Sequence, residues 1–172
     1  MQKIRYNVAM SLDGYISGPN GEADWIVMDP EVDFAALWAQ FDTGLMGRKT
    51  YNAARARLGE SAFSGMKVTV VSRTMKQADH PMITIISELT PDEIQSLRSQ
   101  ATKDIWLFGG GELFRSLLEM GEVDMVEVSV MPVLLGRGVK LLPDPATPTK
   151  LKLSSQKLYR SGIVNLAYEV LK

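Results

Sequence analysis

Ile4, Tyr6, Val8 and Met10 alternate with polar or small residues, the two-residue period of a half-buried strand. A glycine-rich loop follows over residues 13–24. Phe34, Leu37, Trp38 and Phe41 then fall at helical spacing and predict a helix with one apolar stripe. Residues 43–46 form a short apolar run that ends at Gly47, and the alanine-containing stretch from Arg48 onward reads as a helix. The β-branched run 66–71 predicts a buried strand, and 83–86 predicts another. Thr90, Pro91 and Glu93 supply a cap, a first-turn proline and an acid three residues after the cap, so a helix starts there. Ile94, Leu97 and Ala101 continue its stripe. Residues 105–108 are a continuous apolar strand broken by Gly109, Gly110 and Gly111, and Leu113, Phe114, Leu117 and Leu118 give the next helical stripe. Val126, Val128 and Val130 alternate again. After Pro132 glycines and prolines punctuate the chain, and 151–159 and 163–171 read as a hairpin around Ser161-Gly162. Strands alternating with helices predict an α/β fold: a mostly parallel sheet, helices on both faces, and a C-terminal antiparallel hairpin. Without a repeat or a linker, one domain over residues 1–172 is the simplest division.

Composition narrows the chemistry. The 172 residues carry a formal net charge of −1, so neither nucleic acid nor an anionic membrane is favoured as a partner. The alternating N-terminal residues predict neither a signal peptide nor an anchor, and no stretch is long and apolar enough to span a bilayer. The chain has no cysteine, which excludes disulfides and thiolate sites and fits a cytoplasmic protein. With a single histidine, His80, a histidine metal cluster is impossible, and His80 sits in a polar stretch that reads as a solvated loop. No metal site is expected.

Three places have the chemistry of an anion site. The strand ending at Phe108 runs into Gly109, Gly110 and Gly111 and then a helix; glycines let a phosphate approach, and the helix start offers unpaired N–H groups. The spacing matches neither G-x-G-x-x-G nor a P-loop. Gly47, Arg48, Lys49 and Thr50 repeat the arrangement with two cations and a hydroxyl, and cations in a first helical turn oppose the dipole unless an anion sits there. Ser72 and Arg73, at the end of the strand 66–71, suit a phosphate monoester such as the 2′-phosphate that separates NADP from NAD.

At this point the residues carry a family resemblance. Met10-Ser11-Leu12-Asp13-Gly14-Tyr15-Ile16, Leu45-Met46-Gly47-Arg48-Lys49-Thr50-Tyr51, the three glycines, and Val123-Asp124 through Pro132-Val133-Leu134-Leu135-Gly136-Arg137-Gly138 occur in this order. The set resembles the C-terminal reductase domain of the riboflavin-biosynthesis deaminase/reductase and, more distantly, dihydrofolate reductase. The resemblance implies the three-layer dihydrofolate-reductase-like fold, NADPH as hydride donor and a homodimer. It implies a reaction like that of 5-amino-6-(5-phosphoribosylamino)uracil reductase, on a pyrimidine- or pterin-like ring or on a carbonyl or imine. It assigns Gly47, Arg48, Lys49 and Thr50 to the cofactor phosphates, Ser72 and Arg73 to the 2′-phosphate end, and Gly109, Gly110, Gly111, Glu112 and Leu113 to the pyrophosphate and nicotinamide side. The loop 13–25 matches the mobile loop that closes over the nicotinamide. Two positions depart from the family pattern. Tyr15 stands where a lysine or arginine follows Ser-Leu-Asp-Gly, and Trp38 stands where an arginine precedes the second strand. Both replacements count against a phosphate-bearing substrate.

Hydride transfer also needs a proton for the acceptor. Asp13, Asp24, Glu31 and Asp33 are the carboxyl groups available near the expected pocket, with Asp33 preferred and Asp13 second. Tyr15, Trp25 and Trp38 are the expected substrate-binding aromatics. Two competing readings remain at this stage: a non-catalytic NADP-binding module, and a flavodoxin-like electron carrier, whose hydroxyl-rich phosphate loop Leu12-Asp13-Gly14-Tyr15 does not resemble.

Overall fold

The computed structural model describes residues 1–59 and 63–172. In chain order its elements are β1 (Ile4–Ser11), β2 (Tyr15–Ser17), α1 (Phe34–Trp38), β3 (Phe41–Gly47), α2 (Arg48–Leu58), β4 (Lys67–Val71), β5 (Thr84–Ile86), α3 (Pro91–Gln100), β6 (Asp104–Gly109), α4 (Gly111–Glu119), β7 (Met125–Met131), β8 (Val139–Lys140), β9 (Leu151–Leu158) and β10 (Val164–Val170). Eight strands form one sheet in the order β5-β4-β3-β6-β1-β7-β10-β9. The first six in that order run parallel, and β10 runs antiparallel to both of its neighbours. A small antiparallel ribbon, β2 with β8, stands apart.

Side-chain alternation sorts the two faces. Ile4, Tyr6, Leu45, Leu107, Val126 and Val128 pack with Ile94 of α3 and with Phe114 and Leu117 of α4. Met46, Val68 and Val70 face the other way and pack with Tyr51 of α2. Trp38 of α1 lies on this second face, 5.0 Å from the Trp106 ring and 6.1 Å from the Phe108 ring. The expected α/β sheet with helices on both faces is therefore present, and so is the hairpin.

Local signals explain most boundaries. Thr90 Oγ1 accepts from Glu93 N at 3.2 Å, so the cap expected for α3 forms. The helix read across Phe34, Leu37, Trp38 and Phe41 is shorter than its stripe: α1 ends at Trp38 and Phe41 opens β3. The stripe misleads because Phe41 joins the same aromatic cluster from a strand, with its ring 4.9 Å from Trp106. His80 sits edge-on to Tyr51 at 6.0 Å, outside the candidate site. Among the described residues no helix is long and apolar enough to cross a membrane, and no group of carboxylates and imidazoles could hold a metal ion.

Candidate active site

The three anion-site junctions share one rim. They end β4, β3 and β6, which are consecutive in the sheet and parallel, so all three open at the same edge. In an open α/β sheet ligands bind beyond the carboxyl ends of the strands. Met46 is in register with Gly109. A Cβ on Gly110 would lie 3.6 Å from Thr50 Oγ1, which shows how closely the two glycine turns adjoin.

The helix starts differ in a telling way. Asp33 Oδ1 caps α1 by accepting from Ala36 N at 2.8 Å, and Thr90 caps α3. Helices α2 and α4 begin at Gly47 and Gly110 with no side-chain cap. Their first N–H groups, with the positive ends of their dipoles, are thus left toward the rim. Arg48, Lys49 and Arg73 stand beside them and form no ion pair among the described residues. Uncapped donors, unpaired cations and glycines that admit close approach fit a dinucleotide diphosphate.

The rim opens into a cleft of about 1810 Å³. That exceeds the roughly 300–1,000 Å³ of a single-ligand pocket, so a cofactor and a second small molecule fit side by side. The cleft continues over the second face of the sheet. There Trp38, Phe34 and Leu37 form one wall, Trp106 and Phe108 stack at 4.3 Å, and polar residues of β1, β7 and β10 form the floor.

A family model for the RibD C-terminal domain matches residues 2–165. The chain belongs to the RibD C-terminal domain family. It is 34% identical over 179 aligned positions to the uncharacterized protein YyaP of Bacillus subtilis (strain 168), covering 97% of this chain and 94% of YyaP. Among solved structures, a putative riboflavin biosynthesis protein from Shewanella sp. PV-4 superposes with a TM-score of 0.85 at 24% identity, covering 100% of both chains. Dihydrofolate reductase from Enterococcus faecalis, complexed with NADP(H), superposes with a TM-score of 0.71 at 12% identity over 99% of this chain and 97% of that one. The fold is thus dihydrofolate-reductase-like.

Within this RibD C-terminal domain the expected cofactor residues converge. Gly47, Arg48, Lys49, Thr50, Ser72, Arg73, Gly110, Gly111, Glu112 and Leu113 all line the cleft. Gly109 does not. It is buried beneath the rim at φ +96°, and a Cβ there would come within 3.1 Å of the Tyr6 ring, so it shapes the turn from below. Ser72 also differs from expectation. Its Oγ accepts from Thr74 N at 3.2 Å and Met75 N at 3.1 Å, so it builds the turn that presents Arg73. Glu112 pairs its carboxylate with Arg115 at 2.7 Å, which leaves its backbone for the rim. Gly111 is demanded by packing: a Cβ would lie 2.6 Å from the Lys140 carbonyl oxygen and 3.0 Å from Pro143. Gly111→Ala should cost about 2 kcal/mol and lower Tm by about 6 °C in a thermal melt; an unchanged melt would remove this steric account.

The sequence-selected acids and aromatics separate. Asp33 and Trp38 line the cleft, whereas Asp13, Tyr15 and Trp25 do not. Asp13 Oδ1 accepts from the Ser11 hydroxyl at 2.6 Å and Leu135 N at 3.0 Å, and Oδ2 accepts from Gly136 N at 2.6 Å. Those bonds, led by the Ser11 hydroxyl, hold its pKa at about 2. An acid so held stays ionised at neutral pH and clips the loop at residue 13 to Leu135 and Gly136; it is not suited to donate a proton. Tyr15 is drawn into the β2–β8 ribbon opposite Lys140. Trp25 folds back, with Nε1 donating to the Glu22 carbonyl at 3.0 Å. Of the other two carboxyl candidates, Glu31 lines the cleft beside Arg160 at 3.4 Å, and Asp24 is exposed outside it.

Five floor residues had no place in the sequence reading: Arg5, Asn7, Glu127, Ser129 and Asn165. Arg5 and Glu127 form a buried bidentate pair at 3.0 and 2.7 Å. Burial pulls the Arg5 pKa down, but hydrogen bonds and charge from Glu127 and Asp104 outweigh it and raise the guanidinium above its ordinary value. The available signal was Arg5 and Asn7 in β1 and Glu127 and Ser129 in β7, polar residues alternating with the apolar face that enters the core.

Proposed function

We propose that the chain is an NADPH-dependent reductase that delivers a hydride to a small pyrimidine- or pterin-like ring, or to a carbonyl or imine. The observation that carries this reading is the single rim of three junctions, with two uncapped helix starts and three cations that form no ion pair among the described residues, opening into a cleft with room for a second molecule. The NADP(H) complex of the dihydrofolate reductase cited above supports the choice of cofactor.

The bound cofactor supplies the hydride; the protein holds, orients and dries the site. Backbone N–H groups after Gly47 and Gly110, with Arg48, Lys49 and Thr50, take the diphosphate, and Arg73 takes the 2′-phosphate. Trp38, Phe34 and Leu37 cover a flat acceptor and exclude water from it. Asp33, whose Oδ1 holds the cap and whose Oδ2 has no hydrogen-bond partner among the described residues, would relay the proton to the acceptor, directly or through water.

A homodimer in the cytoplasm is part of the same proposal. Leu153 and Leu158, 47% and 73% exposed on the edge strand β9, support a partner there.

The test is a titration of NADPH against tryptophan fluorescence, since Trp38 and Trp106 line the cleft. Quenching with a dissociation constant in the micromolar range is expected, with NADH weaker. Absence of quenching at millimolar NADPH would remove the proposal. The non-catalytic alternative draws on Asp13 being held ionised and unable to donate a proton; it predicts the same quenching but no NADPH oxidation with any pterin, pyrimidine, quinone or aldehyde.

A further inference from the structure

The cleft floor carries chemistry that the cofactor rim does not use. Register sets its residues in two rows across the sheet: Asn7 opposite Glu127, and then Ala9, Ser129 and Asn165 together. The rows are two residues apart, roughly 6.6 Å along the strands, so one flat ligand can span both.

The polarity of each floor group follows from its partner. Each Arg5 side-chain nitrogen is engaged: Nε and Nη2 donate to Glu127, and Nη1 donates to Gln40 Oε1 at 2.8 Å and Asp104 Oδ2 at 3.2 Å. Glu127 accepts from that cation through both of its carboxylate oxygens. A carboxylate cannot donate, so the Asn7 amide must turn its NH₂ group toward it, and Nδ2 donates to Oε2 at 3.2 Å. Asn7 Oδ1 is left without a hydrogen-bond partner among the described residues, on a side chain that lines the cleft. In the second row Asn165 Nδ2 donates to Ser129 Oγ at 3.0 Å, which leaves the Ser129 hydroxyl hydrogen for a ligand. The floor thus offers a fixed acceptor beside a hydroxyl donor, and its one negative charge is already compensated by Arg5. Such a surface suits an uncharged ligand, since a charge placed there would lose water and meet only neutral dipoles.

We infer that Asn7 and Ser129 determine specificity in the substrate half of the cleft. Asn7 Oδ1 accepts from an exocyclic amino group of a neutral heterocycle, and the Ser129 hydroxyl donates to an acceptor on the same edge. Glu127 and Arg5 are positioning residues that fix the direction of the Asn7 amide. This inference rests on the reductase reading, and the experiment separates the two.

Pterin and lumazine are suitable probes because pterin carries an amino group where lumazine carries a carbonyl. Their affinities are measured by pteridine fluorescence with NADP saturating, at a pH where both are neutral, and NADPH affinity is measured on the same samples. The parent should bind pterin about tenfold more tightly than lumazine, the scale of one hydrogen bond in a dry site. Asn7→Ala should abolish that preference and leave NADPH affinity within about twofold. Ser129→Ala should weaken both probes, since both offer an acceptor. Glu127→Gln should narrow the preference, because an amide neighbour can accept or donate and frees Asn7 to turn; a purely structural Glu127 would leave the ratio unchanged. If the parent binds NADPH but neither probe, or if Asn7→Ala keeps the parent's ratio, the inference is overturned and the reductase reading stands. If the parent fails to bind NADPH, both fall.

Discussion

Arg73→Ala should weaken NADPH binding by about 10- to 100-fold and NADH binding by less than about threefold. The expectation comes from the strength of a charge-assisted hydrogen bond, about 1.5–3 kcal/mol, set against tenfold per 1.4 kcal/mol. Arg73 follows β4 at the far end of the three-junction rim, and the Ser72 turn holds it toward the cleft without an ion-pair partner among the described residues. Its charge is therefore available to an added phosphate. The junction at Gly47 binds what NADPH and NADH have in common, so losing Arg73 should separate the two cofactors. Arg73 is exposed, so added salt should narrow the difference between NADPH and NADH in the parent. Fluorescence titrations of both cofactors against both proteins check this. Equal losses for NADPH and NADH would remove the 2′-phosphate role.

How much of this was legible along the chain depends on how far apart the cooperating residues lie. The rim could be read because each junction is contiguous: Leu45 through Thr50 and Trp106 through Leu113 carry strand, glycine and helix start in one short stretch. Periodicity alone also found most strands, yet it placed Phe41 in a helix, because a stripe records which residues meet one cluster and not which element delivers them. Asp13 and Asp33 looked alike as candidate acids. What separates them is the loop at Leu135 and Gly136, more than 120 positions away, whose N–H groups saturate Asp13. The floor was hidden for a related reason. Asn7, Ser129 and Asn165 look like the solvent side of ordinary alternating strands until the order β1-β7-β10 sets them side by side. Trp25 illustrates the limit of residue type as a guide: an aromatic in a predicted lid turned its N–H to its own loop.

Arg5→Met should destabilise the fold by about 3–5 kcal/mol at neutral pH, the usual cost of stranding a buried charge. Arg5 and Glu127 are each only 8% exposed, and Arg5 also holds Asp104 and lies 4.7 Å from the Phe41 ring. Removing the cation leaves two carboxylates facing each other across β1 without compensation. Glu127→Gln should cost much less, because Arg5 keeps Asp104 and Gln40 and the glutamine oxygen still accepts. The double variant Arg5→Met with Glu127→Leu should recover much of the loss, since well-packed apolar residues often replace a buried pair at little cost. The pH dependence gives an independent sign. In Arg5→Met the carboxylates of Asp104 and Glu127 lose their cation, and burial without a partner favours the protonated form of a carboxyl group. The deficit should therefore be full at neutral pH and shrink as pH falls toward the ordinary carboxylate range. Urea unfolding of the three variants at neutral and mildly acid pH reads all of this. An Arg5→Met protein within about 1 kcal/mol of the parent at neutral pH would show that water reaches the pair, and the fixed amide direction at Asn7 would lose its foundation with it.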